Sequence, residues 1–279
     1  MMRSDHPVFE AHDIQLMSTL TPLQGGDVSE VYQVETRQGR IVVKFGLPSV
    51  LRAEAIGLEA LRQAGTRLTV PCCLAHMDDA LVMNFITQKP SGPFGAAFLG
   101  EELRHLHAGT RQQQHGFHRT TYAGPTPQDN TLTLDGRDFL IERRLKPLAS
   151  RCHHQGYLSE LDMLDLAQLY DDLPTWLEHR PACLVHGDLW HGNVLYTPDG
   201  AALIDPAVYW HYPDMDLALF ELFASPAEAF SEAYWDGNKP SYWPERCALF
   251  QLYPLLNHLH LFGEGYLASV RRALSKVMN

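Results

Sequence analysis

The apolar positions of the chain fall into two regimes. Up to about residue 88 they make short runs broken by turn residues, as strands do. A short helix is expected within residues 7 to 17. Thr19 to Val34 then reads as strand, break and strand, with Gly25-Gly26 between TLTPLQ and SEVYQVE. Gln38-Gly39 turns the chain into the run Ile41-Val42-Val43-Lys44-Phe45. Ser49 to Gln63 has the helical period instead: Leu51, Leu58 and Leu61 form a stripe at i, i+7 and i+10, with Ala55 beside it. Glu54 lies on that stripe, three residues after Leu51 and four before Leu58, whereas Glu59 is rotated off it. A carboxylate on a buried stripe is costly without a cationic partner, and Lys44 is the candidate. Leu68 to Met77 reads as connector and strand, Asp78-Asp79 as a turn, and Ala80 to Ile86 as a buried strand. Its end, Met83-Asn84-Phe85-Ile86, leads to a composition break at Lys89-Pro90-Ser91-Gly92-Pro93.

Beyond the break the helical period dominates. Helices are expected over Phe94 to Ala108 and Phe139 to Leu148. Another is marked by Leu158, Leu161, Leu164, Leu169 and Leu173, opened by a capping pattern at Ser159 and Asp162 and interrupted by Pro174. Asp214 to Phe223 is expected to be helical, and three more helices follow: one capped by Ser225-Pro226, one over Pro244 to Gly263 kinked at Pro254, and one from Gly265 onward. Thr110 to Arg137 is polar and rich in Gly, Pro and Thr, and reads as a long functional or mobile loop. His105 and His107, two apart on a helix, do not share a face and predict no metal pair. The expected fold is α+β and two-lobed: residues 1–88 as a small β-rich N-lobe, residues 89–279 as a larger, mostly helical C-lobe, and a ligand between them.

One polar stretch organises the rest. Leu184 to Pro206 reads LVHGDLWHGNVLYTPDGAALIDP. Pro198-Asp199-Gly200 is turn chemistry between two apolar runs, which predicts a hairpin. Asn193 precedes its first strand and Asp205 follows its second, so antiparallel pairing brings both to one open end, with facing Cβ atoms about 5 Å apart. Asp188 reaches the same end on a loop that Gly187 and Gly192 let turn sharply. An amide oxygen and a carboxylate at that spacing suit Mg²⁺, which takes few protein ligands alongside substrate phosphates. A second carboxylate suits orienting a hydroxyl nucleophile. These are the parts of a phosphoryl-transfer site. In that setting Gly25 and Gly26 would close over phosphates through backbone N–H groups, Lys44 would bind phosphate held by Glu54, and Met83, Asn84 and Ile86 would meet an adenine at the hinge.

Composition narrows the partners. The chain has 279 residues, 45% hydrophobic and 20% charged, enough for a full core. A net charge of -11 argues against nucleic acid and tolerates an amine-bearing substrate. The five cysteines are odd in number and include no C-x-x-C pair, so neither a disulfide framework nor a zinc site is expected. Cys72-Cys73 read as buried bystanders. The N-terminal MMRSDHPVFEAHD lacks an apolar signal region, and no run is long enough to span a bilayer. A reducing cytoplasm fits. Oligomeric state is left open.

These residues resemble the fructosamine kinase (ketosamine 3-kinase) family, within the protein-kinase-like fold shared with aminoglycoside phosphotransferases and choline kinases. HGDLWHGN at 186–193 is similar to the family's HGDLWSGN, and IDPAVYW at 204–210 followed by DLALFELF at 216–223 to its DPAxYxG…DLAM…LF. Thr126-Pro127-Gln128 with Asn130-Thr131 resembles TPQxNTW, and the motif residues between Gln251 and Tyr266 resemble QLYxLLNHxxLFGxGY. The similarity runs from about Gly25 to Tyr266. It implies ATP- and Mg²⁺-dependent phosphorylation of a ketosamine sugar hydroxyl, at position 3, as a step in deglycation of amines or proteins. Carried over by position, Asp188 is the base or hydroxyl-orienting residue, Asn193 and Asp205 are Mg²⁺ ligands, and Trp190, His191 and Asp216 are candidates for the acceptor side. The chain departs from the pattern at His191, Trp210 to Asp214, Leu132 and Asn84, and several of these are expected to line the acceptor pocket. The alternatives are an aminoglycoside- or choline-kinase-like enzyme for another hydroxyl compound, and a silent nucleotide-binding module. Intact Lys44, Asp188, Asn193 and Asp205 speak against the last.

Overall fold

The computed structural model describes residues 3–23 and 29–278. Gly25 and Gly26, the expected phosphate-loop glycines, lie outside the described residues. The N-terminal part opens with α1 (Pro7–Ala11), shorter than the 7 to 17 expected because the chain turns at His12. A five-stranded antiparallel sheet follows: β1 (Thr21–Pro22), β2 (Glu30–Thr36), β3 (Gly39–Phe45), β4 (Cys73–Met77) and β5 (Ala80–Asn84), in the order β1-β2-β3-β5-β4. The helix α2 (Pro48–Gln63) connects β3 to β4.

The period of two along β3 separates the sheet's faces. Ile41, Val43 and Phe45 are buried with Val8 and Phe9 of α1 in a small core. Val42 and Lys44 point the other way, toward α2. That helix buries Leu51, Leu58, Leu61 and Glu54, the predicted stripe with its carboxylate.

The rest is mostly helical: α3 (Pro93–Gly109), α4 (Gly136–Leu140), a π turn at Ile141–Leu145, α5 (Lys146–His154), α6 (Glu160–Trp176), α7 (Asp214–Phe220), α8 (Glu228–Trp235), α9 (Trp243–Phe262) and α10 (Leu267–Met278). Short strands break the pattern: the hairpin β6 (Thr121–Ala123) and β7 (Thr126–Gln128), then β8 (Cys183–Val185), β9 (Val194–Thr197), β10 (Gly200–Leu203) and β11 (Tyr209–His211). The two parts are joined by backbone hydrogen bonds: Thr69 N–H donates to Ala201 O, and Leu203 N–H to Thr69 O.

Several expectations need correction. Thr110 to Arg137 is not a structureless loop. It carries β6 and β7 and is bridged to Ala182 and Trp210, and its buried polar residues His115, Thr121, Thr126, Gln128 and Asn130 meet internal partners rather than water. In α6 the Ser159–Asp162 capping box is present, but Leu161 and Leu164 are exposed and the buried stripe is Leu166, Leu169 and Leu173. Pro174 does not interrupt α6, which runs on to Trp176. The helix after Phe220 is capped at Ala227, not at Ser225-Pro226. Cys73 is exposed rather than buried. Among the described residues, no helix is long and apolar enough to cross a membrane.

Candidate active site

The predicted hairpin forms, β9 pairing antiparallel with β10 from Val194↔Leu203 to Thr197↔Gly200. Its open end differs by one residue from expectation. Asn193 faces Ile204, whose N–H donates to the Asn193 carbonyl at 3.1 Å. Asp205 lies one step beyond. In a regular strand it would point to the opposite face; instead it adopts a left-handed conformation, φ 55°, and its side chain returns to the same end.

Asp188 sits on the turn between β8 and β9. Gly187 has φ 80°, and a Cβ there would fall 2.2 Å from the Ala207 carbonyl oxygen, so only glycine fits. The loop is anchored from below by Asp216, fully buried at the start of α7. Its carboxylate accepts from the backbone N–H groups of His186 (2.7 Å) and Gly187 (2.9 Å), and its Oδ2 also contacts His107 Nε2 at 3.2 Å. His107 Nδ1 meets the Tyr234 hydroxyl at 2.9 Å. The His186 ring spans the loop: Nε2 donates to Ile204 O at 3.0 Å and Nδ1 accepts from Asp188 N–H at 3.3 Å. Burial lowers the His186 pKa and favours the neutral ring that this pattern requires.

Asn193 Nδ2 donates to the Asp188 carbonyl at 2.8 Å and to its Oδ2 at 3.2 Å. That orientation leaves the Asn193 amide oxygen facing the cavity. Burial pushes the Asp188 carboxyl up to about 7, with the charge of Asp205 adding to it against the Asn193 amide. Lys44 bridges the two parts of the chain, donating to Glu54 Oε1 at 2.6 Å and to Asp205 Oδ1. Burial alone would lower the Lys44 pKa, but the charges of Glu54 and Asp205 outweigh it and hold the ammonium above its ordinary range. Burial likewise pushes Glu54 up, against the pull of Lys44. Gly57 lets α2 approach this centre: a Cβ there would lie 3.1 Å from the Pro206 ring.

Lys44, Glu54, Gly187, Asp188, Trp190, Asn193 and Asp205 line one cavity of about 610 Å³. Its remaining wall joins the tip of the β6–β7 hairpin, Tyr122 to Pro125, to Tyr253, Asn257 and His258 of α9, with Phe223, Phe262 and Tyr266 at the side. The cavity thus has a charged floor and an aromatic flank.

Other candidates lie elsewhere. Met83, Asn84 and Ile86 are not on this cavity; Asn84 Oδ1 accepts from Cys72 N–H at 2.6 Å. His191, expected on the acceptor side, packs its ring 4.2 Å from that of Phe220, with Nε2 3.3 Å from the Ala224 carbonyl. Asp216, also expected there, has no exposure and is spent on the loop backbone. Nor does the divergent segment 210–214 reach the cavity. His211 and Tyr212 are buried, His211 Nδ1 lies 2.9 Å from His115 Nδ1, and Asp214 pairs with Arg180 and Arg246. These departures repack the interior beneath β8 and β11 instead of shaping the pocket. The residues the sequence left without a role, Tyr253, Asn257 and the Tyr122 to Pro125 tip, belong to or adjoin the TPQ and QLY motifs, which were the signal available.

The arrangement of antiparallel sheet, connecting helix and polar hairpin is a kinase-like fold. It superposes on an aminoglycoside phosphotransferase solved in complex with AMP-PNP and hygromycin B with a TM-score of 0.64 at 16% identity, covering 94% of this chain and 92% of that one. The likeness to a candidate fructosamine-3-kinase from Thermobifida fusca is greater: TM-score 0.89, 29% identity, 97% of this chain and 96% of the other. Sequence comparison gives a "probable ketoamine kinase" of Thermus thermophilus, 34% identical over 260 residues covering 91% of this chain and 92% of the relative. One of Vibrio vulnificus is 30% identical over 270 residues, 92% and 91% of the two chains. The family model described as fructosamine kinase matches residues 6–279. The chain belongs to the fructosamine kinase family and is a phosphotransferase.

Proposed function

We propose that the protein phosphorylates a sugar hydroxyl, the 3-hydroxyl, of ketosamines such as ribulosamine or fructosamine adducts, using Mg-ATP, and so serves in deglycation of amines or proteins. The observation that carries this is the convergence of Lys44, Glu54, Asp188, Asn193 and Asp205 on one cavity, in a chain of this family. Residues 1–88 act as the nucleotide-binding lobe and 89–279 as the lobe holding acceptor and metal. Asp188 Oδ1 or Oδ2 accepts the proton of the acceptor hydroxyl as its oxygen forms a bond to the γ-phosphorus and the bond from that phosphorus to the ADP oxygen breaks. Lys44, steadied by Glu54, binds the phosphates. The Asn193 amide oxygen and the Asp205 carboxylate suit a hard cation, and Mg²⁺ bound there would supply charge neutralisation at the phosphates. Asp205, bonded to Lys44 as it stands, would be shared between that ammonium and the cation. Met83, Asn84 and Ile86 remain the expected adenine edge, and Gly25-Gly26 the expected phosphate loop. Trp190, half-exposed on the cavity, is placed to cover the acceptor.

The test is ADP release from Mg-ATP with ketosamines of lysine, alongside aminoglycosides and choline. Ketosamine-dependent release should fall by at least about 100-fold in Asp188→Asn, since a positioned base is worth that much. Faster turnover of the other alcohols would overturn the substrate, and nucleotide binding without transfer to any acceptor would overturn the reaction.

A further inference from the structure

Two motifs, Thr126 to Thr131 and Gln251 to His258, have no part in phosphoryl transfer as described, yet their side chains meet in the interior. Thr126 Oγ1 donates to Asn257 Oδ1 at 2.7 Å, and Asn257 Nδ2 to the Ala123 carbonyl at 3.3 Å. The more telling connection is a chain of hydrogen bonds that starts at Arg144. This guanidinium is buried, and it can only donate. Its Nη2 donates to Asn130 Oδ1 at 2.6 Å. Asn130 must therefore present Nδ2 on its other side, where it donates to Thr121 Oγ1 at 2.8 Å and to the Arg119 carbonyl at 2.9 Å. Having accepted, the Thr121 hydroxyl donates its own O–H to Gln128 Oε1 at 2.7 Å. Gln128 is thereby oriented with Nε2 toward Tyr253, donating to the phenol oxygen at 2.8 Å.

Each bond dictates the direction of the next. Asn130, Thr121, Gln128 and Tyr253 are all at most 5% exposed, so no side chain can reverse by turning to water. At the end of the chain the Tyr253 oxygen has accepted a hydrogen bond from Gln128 Nε2, and its own O–H must point elsewhere. Among the described residues no protein acceptor takes it. Tyr253 lines the cavity with Asp188, and the Asp188 charge is felt at the phenol. Arg144 also lies 4.2 Å from the Tyr209 ring centroid and 5.5 Å from that of Tyr253, which places a fixed positive charge behind the phenol.

We infer that Tyr253 is an acceptor-binding, specificity-determining residue: its phenolic O–H donates to an acceptor oxygen adjacent to the hydroxyl that reacts at Asp188. Arg144, Asn130, Thr121 and Gln128 are positioning residues that make the phenol oxygen an acceptor toward Gln128 and so leave its O–H free to donate elsewhere. The inference rests on the phosphotransferase reading of the cavity. It assigns the acceptor's second oxygen, whereas the catalytic carboxylate handles the first. It also accounts for an asparagine and a glutamine, each spending both its oxygen and its nitrogen, at motif positions remote from the phosphates.

Two variants test it, on whichever acceptor of the panel the wild-type protein turns over, so that a wrong sugar assignment does not affect the result. Tyr253→Phe keeps the ring and removes the donor; the KM for acceptor should rise about tenfold, the value of one hydrogen bond, with the KM for ATP within twofold of wild type. Asn130→Asp is isosteric and remote from the cavity. Its carboxylate accepts from both Arg144 and Thr121, which frees Gln128 to flip and accept from Tyr253. The variant should raise the acceptor KM to a similar degree with the KM for ATP unchanged, read below a Tm lowered by a few degrees because the new carboxylate oxygen faces the Arg119 carbonyl, and the acceptor KM of the double variant should be no worse than that of Tyr253→Phe alone. Deoxy acceptors lacking an oxygen next to the reacting hydroxyl complete the cycle: one of them should be poor with wild type and indifferent to Tyr253→Phe. An unchanged acceptor KM in Tyr253→Phe would overturn the inference, as would equal losses for every deoxy analogue or parallel changes in the KM for ATP.

Discussion

Replacing Asp216 by Asn changes one atom and should disable the loop that carries Asp188. In the native protein the two carboxylate oxygens serve three donors: Oδ1 takes the Gly187 N–H, and Oδ2 takes the His186 N–H and His107. An amide offers one oxygen and one NH₂. If the NH₂ takes the place of Oδ2, His107 can adapt by switching tautomer, because the Tyr234 hydroxyl on its other nitrogen can accept as well as donate. The His186 N–H cannot adapt. If the amide flips, Gly187 is stranded instead. One fully buried backbone donor is thus left facing another donor, at a cost of about 1–3 kcal/mol, and the surviving bond weakens by about 1 kcal/mol when its acceptor loses its charge. The sum is about 3 kcal/mol from a domain whose total stability is on the order of 5–15 kcal/mol. Thermal unfolding of Asp216→Asn should drop by roughly 6–12 °C. Turnover at a temperature where the variant is still folded should fall at least about tenfold, since a misplaced loop misplaces the reacting carboxylate. A variant with wild-type Tm and wild-type kcat would refute the assignment of Asp216 to loop positioning.

Three further outcomes follow from the geometry. Gly187→Ala, with φ 80° and a backbone oxygen 2.2 Å from the new Cβ, should cost about 3–5 kcal/mol in urea unfolding. Gly39→Ala, with φ 119° but open space around it, should lose only the backbone strain of about 1–3 kcal/mol. Lys44→Met should abolish measurable nucleotide binding and leave Glu54 buried without its cation. With its folded-state pKa then further above the unfolded value, Glu54 favours folding only while protonated, so the Tm deficit against wild type should be flat from pH 5 to pH 7, where both folded proteins hold the proton, and widen above pH 7, where only the variant still does; a deficit that stays constant above pH 7 would contradict the buried pairing. Asp162 bonds Arg271 of α10 at 2.8 Å through both carboxylate oxygens, and that hydrogen-bonded guanidinium holds its pKa well below the usual range. A depressed folded-state pKa stabilises above the unfolded value, near 4, and the contribution is lost as pH falls through the folded value. Asp162→Asn should therefore narrow the stability gap between pH 6 and pH 2.5 in acid-unfolding curves, whereas Arg271, half-exposed, contributes modestly at neutral pH.

Local pattern determined much of this protein. The period of two in β3 and the stripe of α2 were enough to put Lys44 and Glu54 on facing surfaces, because a buried carboxylate admits few partners. The turn at Pro198-Asp199-Gly200 was enough to close the β9–β10 hairpin and gather Asn193 and Asp205 at its end. Family motifs added the reaction class. What the sequence left undecided depends on contacts between residues far apart in the chain. The single-residue offset at Asp205 is set by a left-handed turn that hydrophobicity does not encode. Asp216 and His191 carry chemistry-bearing side chains close to the motif, yet tertiary packing turns one under the loop and the other onto Phe220. The polar stretch 110–137 looks like a loop in isolation, because the partners that satisfy its side chains, Arg144 and α9, arrive only when the helical part closes around it. Hydrogen-bond direction along that path is a property of the assembled network, in which an always-donating arginine at one end decides what a tyrosine more than a hundred residues later offers at the other.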